Sequence, residues 1–162
     1  MENVPEGVTV LVTENNRIAL ALLSDHFYGH PSAEMNVIGV TGTNGKTTTT
    51  TLTGEIMKTA YSGTAVVGNI GVPYSEEVER LTEKDWVVAE ISSFQLETIQ
   101  DFQPAVSAIL NITEDHLNRH HTMEEYIRVK ELIVKNQKPE DVCVLNYEDP
   151  VLREFGKNIV PQ

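Results

Sequence analysis

A chain of 162 residues with 40% hydrophobic and 22% charged side chains has the material for one globular domain with a sizeable core. Its formal net charge of −12 argues against a nucleic-acid partner, because no basic stripe is available to release counterions, and small anions must be drawn in by local charges. No apolar run approaches a membrane span, the N-terminus lacks a signal-peptide pattern, and a lone cysteine, Cys143, forms no internal disulfide, so no membrane partner and a reducing, cytoplasmic setting are expected.

In chain order, residues 8–13 read as a short β-branched strand, and a helix begins at Asn15 or Asn16 with Ile18, Leu20, Leu22, Leu23 and Phe27 on its apolar side. Gly29 and Pro31 end it. Residues 1–35 are too few for a core of their own and read as a lead-in, or as the tail of a larger unit. A strand over 36–40 then enters a glycine-rich turn, and a helix over 46–60 follows. Further strands are predicted at 64–67, 86–91, 105–112 and 141–146, with Cys143 buried in the last. Helices are predicted near 75–81, 123–136 and 150–155, and another strand begins at Asn158. The helix over 123–136 presents Tyr126, Ile127, Leu132 and Ile133 on one side. Apolar strands alternating with helices predict a three-layer α/β fold over residues 36–162, a mainly parallel sheet covered on both faces, with its sites at the carboxyl ends of the strands.

The chemistry concentrates in Gly42-Thr43-Asn44-Gly45-Lys46-Thr47-Thr48. Gly42 and Gly45 let the backbone bring its N–H groups close to an anion. The helix that opens at Lys46 aims free N–H groups and its dipole at the same place. Lys46 adds a mobile positive charge, and the Thr47 hydroxyl suits the magnesium that accompanies a nucleoside triphosphate. The strict phosphate-loop spacing is not met, because Val40 stands five places before Gly45 and Gly39 lies one place too early. An ordinary strand-to-helix turn with an incidental lysine is the alternative. The threonine run 47–51 is odd in a helix, and hydroxyls near phosphate rationalise only its first members.

Other polar residues fall at strand ends. Glu90 is a lone carboxylate after an apolar strand, costly unless paired, and a magnesium shared with Thr47 would pair it; the alternative is a Glu escaping into solvent. Asn69, between Gly68 and Gly71, either turns its amide toward a ligand or is an ordinary turn residue. His116 and His120 have the spacing of a zinc pair but lack the accompanying Glu and third ligand, so His116 is better read as facing the site. Lys130 either neutralises phosphate charge or is a solvated helix residue.

Taken together, 41–48, 68–73, 89–97, 110–120 and 125–130 resemble the Mur ligases, which build the peptide of bacterial cell-wall precursors. From about residue 61 they look like the D-glutamate-adding branch. Residues up to about 60 are more similar to the branch that adds the third residue, diaminopimelate or lysine. The resemblance implies a P-loop NTPase-like central domain. Its cofactors would be ATP, bound by Gly42–Thr48 with Lys46 on the β- and γ-phosphates, and Mg2+. Thr47 and Glu90 would hold the first magnesium and His116 the second, with Lys130 joining as a carbamylated lysine. Asn69 and Ser92 would contact the UDP-muramoyl substrate. The implied reaction phosphorylates a substrate carboxylate with ATP, after which an amino acid's amine, D-glutamate in that branch, attacks the acyl phosphate to form an amide. Such ligases have three domains, so the chain reads as an ATP/Mg-binding fragment, incomplete at its C-terminal end and not competent for full ligation. A folylpolyglutamate synthase-like ligase is disfavoured because Thr47 follows Lys46 and because of the motifs at Gly68 and Ser92; a non-catalytic scaffold that keeps the loop is a further alternative.

Overall fold

The computed structural model describes residues 7–8 and 10–159, apart from the side chain of Ala33. Five strands form one sheet: β1 (Asn36–Thr41), β2 (Ala65–Gly68), β3 (Trp86–Glu90), β4 (Val106–Ile109) and β5 (Val142–Leu145). All neighbours are parallel, in the order β2-β3-β1-β4-β5. The β-branched content that marked each strand is what two-sided burial requires. Val37, Val67, Val87 and Val88 are fully buried.

Among the described residues eight helices connect or flank these strands: α1 (Asn16–Phe27), α2 (Pro31–Glu34), α3 (Lys46–Ala60), α4 (Tyr74–Glu77), α5 (Ser93–Leu96), α6 (Leu117–His120), α7 (Met123–Glu131) and α8 (Pro150–Asn158). Short 3-10 turns extend α4 over Val78–Arg80 and α7 over Leu132–Val134, so the predicted helices 75–81 and 123–136 each divide into two pieces. Strand alternation sorts the two faces. Val66 turns toward α3, where its Cγ2 fills the space that a Cβ on Gly54 would need. Val40, Val88 and Glu90 share that face through the register Val66↔Val88, Ile38↔Val88 and Gly68↔Glu90↔Val40. On the opposite face Gly39 meets Ile133, just beyond α7. The phosphate-loop region is therefore gripped by α3 from one side of the sheet and by α7 from the other.

Several local expectations are corrected. Residues 10–13 are not a strand: they pair with no strand of the sheet, and Leu11 and Val12 are 67% and 78% exposed. The α1 start is as expected, with the Asn15 side chain accepting from the Arg17 and Ile18 amides. Its apolar side is not buried, however, since Leu20, Leu22, Leu23 and Phe27 are all exposed. The predicted buried Cys143 is half-buried, because β5 is an edge strand whose Val142 and Val144 face out. In α7, Val129 and Lys130 join Tyr126 in the core, whereas Ile127 is only partly buried. Residue 158 closes α8 rather than starting a strand, and the rest of that prediction lies outside the described residues. Among the described residues no helix is long and apolar enough to cross a membrane.

Candidate functional site

The turn between β1 and α3 is built by backbone bonds to the neighbouring β4 exit. Leu110 N donates to Thr41 O at 3.0 Å and Thr43 N to Asn111 O at 2.9 Å. The Asn111 side chain then brackets the loop: its Oδ1 accepts from Thr43 N and Asn44 N (3.1 and 2.8 Å), and its Nδ2 donates to Asn44 O at 3.0 Å. Thr43 turns inward, donating to Thr113 O, accepting from Thr113 N, and lying 3.3 Å from the Tyr126 hydroxyl. Gly45 caps α3 with φ 80°, ψ 0°, a left-handed conformation costly for any residue with a Cβ. With the loop tied back in this way, Asn44, Gly45, Thr47 and Thr48 stay exposed at the start of a fifteen-residue helix. A helix start of this kind offers free amides to an anion. Lys46 folds over the loop, its Nζ donating to Thr43 O at 2.9 Å.

Glu90 ends β3 between β1 and β2 and is 2% exposed. Because it points to the α3 face, its carboxylate meets the second residue of that helix: Thr47 Oγ1 donates to Oε2 at 2.7 Å, and Asn69 Nδ2 donates to Oε1 at 3.1 Å. Both partners are neutral, and no basic side chain among the described residues forms an ion pair with Glu90. A buried carboxylate is expensive without a compensating charge. A hydroxyl and a carboxylate converging at this spacing are hard oxygen donors of the type magnesium prefers, so the pair fits that ion.

Lys130 is almost wholly buried on the other side of the loop. Its Nζ donates to Gly42 O at 2.9 Å and lies 4.8 Å from the centre of the Tyr126 ring. Burial, and then the charge of Lys46, push its pKa down to about 8, against a smaller opposing pull from Asp115. The structure thus separates it from the solvated alternative. His116 is exposed at the start of α6, in a left-handed conformation (φ 54°) and 4.9 Å from the Phe94 ring. His120, by contrast, is buried, and burial holds its pKa below the usual histidine value.

Thr47 and Asn69 both contact Glu90, and Lys46 and Lys130 both reach the loop. His116 stands at the rim without touching these groups. Ser92 is occupied as the cap of α5: its Oγ accepts from Gln95 N at 3.3 Å while its N–H donates to Gln95 Oε1 at 2.9 Å. Asn69 also lines a cleft of about 480 Å3 at the ends of β2 and β3, together with Tyr74, Ser75, Gln95 and Phe102. Sequence reasoning missed Asn111 and Tyr126 as supports of the loop. Asn111 stands two residues beyond the end of β4, a strand-end position that the predicted strand over 105–112 concealed.

A parallel 2-3-1-4-5 sheet whose first strand feeds a lysine-bearing loop and helix, with a carboxylate on the adjacent strand end, defines an α/β domain of the P-loop type. Residues 40–161 match the Mur ligase middle domain, and the chain belongs to that family. It is 65% identical over 123 residues to the UDP-N-acetylmuramoylalanine--D-glutamate ligase of Lachnoclostridium phytofermentans, covering 76% of this chain and 27% of that protein. A second relative of the same name, from Thermoanaerobacter pseudethanolicus, is 45% identical over 148 residues, 91% of this chain and 32% of its own length. That match runs across residue 60, so a change of branch there finds no support in it. The chain thus spans about a quarter to a third of these relatives. Among solved structures, the MurF ligase of Thermotoga maritima in complex with ADP superposes with a TM-score of 0.68 at 25% identity, over 94% of this chain and 37% of that one.

Proposed function

We propose that the chain is the ATP- and magnesium-binding core of an ATP-dependent ligase of peptidoglycan precursor synthesis, the one that adds D-glutamate to UDP-N-acetylmuramoyl-L-alanine in the cytoplasm. The observation that carries this reading is the Thr47–Glu90 contact at 2.7 Å beside an exposed helix start and Lys46. Residues 36–162 form the nucleotide-binding domain on this reading, and residues 1–35 a lead-in from a UDP-binding unit. The relatives' names support D-glutamate as the incoming amino acid and the UDP-muramoyl compound as acceptor.

Gly42, Thr43, Asn44, Gly45 and Thr48 would hold the triphosphate, mainly through backbone amides, and Lys46 would pair with the β- and γ-phosphates. Thr47 and Glu90 would hold the first magnesium, with His116 and a carbamylated Lys130 as ligands of the second. Bound magnesium supplies charge neutralisation of the triphosphate and of the transferring phosphoryl group. Asn69 and Ser92 border the place for the UDP-muramoyl substrate, Asn69 through the cleft at the β2 and β3 ends.

Calorimetric titration of ATP with Mg2+ into the chain tests this. Wild type is expected to bind, and Lys46→Ala to lose at least tenfold in affinity, about the worth of one charge-assisted phosphate contact. Equal binding by the two proteins defeats the phosphate-loop reading.

A further inference from the structure

One buried polar network lies outside the groups that face the nucleotide. Ser93, the first residue of α5, and His120, the last of α6, are each 3% exposed, and His120 Nε2 lies 2.9 Å from Ser93 Oγ. His120 Nδ1 lies 3.3 Å from Glu97 Oε1, and Glu97 is gripped by the Arg119 guanidinium through two hydrogen bonds. Arg119 holds the Glu97 carboxyl below its ordinary pKa, and an anion 3.3 Å from Nδ1 favours the N–H on that nitrogen. Nε2 of the neutral ring then accepts from the Ser93 hydroxyl. A serine, histidine and carboxylate in this order have the connectivity of a hydrolytic triad. Ser93 is closed off from solvent, however, so no acyl group can reach it, and the network must act by holding something in place.

What it holds is the turn that carries His116. The α6 turn closes on His116, whose carbonyl accepts from Arg119 N at 2.9 Å and His120 N at 3.0 Å. His116 sits in a left-handed conformation that is disfavoured for a residue with a Cβ and persists only where its surroundings determine it. Asp115 supplies part of those surroundings, its carboxylate accepting from His116 N at 2.8 Å and lying 3.3 Å from His116 Nε2, and the network supplies the rest. The Phe94 ring contacts His116 at 4.9 Å, stacks on His120 at 5.7 Å and 24°, and carries the Arg119 guanidinium at 5.0 Å. Tyr126, 5.2 Å from His120 and 6.5 Å from His116, extends to Thr43 of the phosphate loop.

We propose that His120, as the neutral Nδ1–H tautomer bridging Ser93 and Glu97, is a positioning residue that locks His116 at the rim of the phosphate loop. The proposal rests on the reading of His116 as a metal ligand given above.

The test is imidazole NMR on the 15N-labelled chain, with Mn2+ and ATP added in a second step. Long-range 1H–15N correlation is expected to show the Nδ1–H tautomer for His120. His116 ring protons should be displaced by the Phe94 ring current and then broadened by ATP–Mn2+. In His120→Phe, which keeps the stacked ring and loses the Ser93 hydrogen bond and the Nδ1 contact with Glu97, the His116 displacement should collapse and the Mn2+ concentration needed to broaden it should rise at least tenfold. His120→Asn, retaining a donor toward Glu97, should recover part of both. An Nε2–H tautomer, or an unaltered His116 signal in folded His120→Phe, overturns the proposal. Should that variant fail to fold, Ser93→Ala decides, because it removes only one hydroxyl: an unchanged His116 displacement again overturns it. The ring shifts are read without nucleotide, so failure of wild type to bind ATP–Mn2+ sinks the functional reading separately.

Discussion

Thr47 and Glu90, forty-three positions apart, share a 2.7 Å hydrogen bond because the register of β3 against β1 and β2 turns the glutamate toward the first turn of α3. The contact places a hydroxyl against a buried carboxylate that no basic side chain among the described residues pairs with. On the proposed reading Glu90 gives up folding stability to serve as a magnesium ligand.

Glu90→Gln separates the two roles. The amide is close to isosteric and removes a buried charge that only neutral donors satisfy, so thermal unfolding should show a melting temperature equal to or above wild type. Nucleotide affinity should become insensitive to Mg2+. A variant that melts well below wild type, or whose ATP affinity still rises with Mg2+, contradicts this account.

Lys130 makes a pH prediction. Its pKa falls from an ordinary lysine's 10.5 to about 8 in the folded chain, chiefly through burial. Between those values the unfolded chain holds a proton that the folded chain lacks, so stability should rise with pH across about 8 to 10.5. Below pH 8 the buried charge costs on the order of 1–3 kcal/mol. Lys130→Met should therefore be more stable than wild type in urea melts at pH 7, with the gain shrinking by pH 10. A neutral amine also attacks carbon dioxide, forming an N–C bond and releasing a proton. Wild type in 13C-bicarbonate should then show a carbamate carbonyl signal that Lys130→Arg lacks.

Thr50 is fully buried on α3, and its hydroxyl finds no partner among the described residues. An unsatisfied buried hydroxyl costs about 1–3 kcal/mol. Thr50→Val keeps the branched shape and discards that cost, so chemical denaturation should give a protein more stable by about 1 kcal/mol with nucleotide affinity unaltered. Destabilisation would mean that the hydroxyl is satisfied.

Residues 36–48 and the strands up to 109 were legible because their signals are local. β-branched runs mark buried strands, and Gly45 followed by Lys46 and Thr47 marks a loop opening a helix. Asn15 announced α1, and Glu90 stood out as a carboxylate at the end of an apolar strand. By contrast, residues 10–13 had strand composition without a strand's partner, and the apolar side of α1 found no surface to cover, since composition records a tendency to be buried and not what is available to bury it. Lys130 was ambiguous for the same reason. A lysine on an amphipathic helix belongs to solvent until the placement of α7 across Thr41 and Gly42 encloses it.

Local chemistry thus determined by itself that this chain holds a phosphate-type loop on a parallel α/β sheet. Only the tertiary structure decided which groups serve it. Strand order puts Glu90 between the loop and Asn69, and the β4 exit supplies Asn111 from sixty-seven residues away. Ser92 is spent on its own helix cap, while Ser93, one residue on, is buried against His120. These assignments depend on distances between segments remote in sequence, which register and packing set and no local pattern encodes.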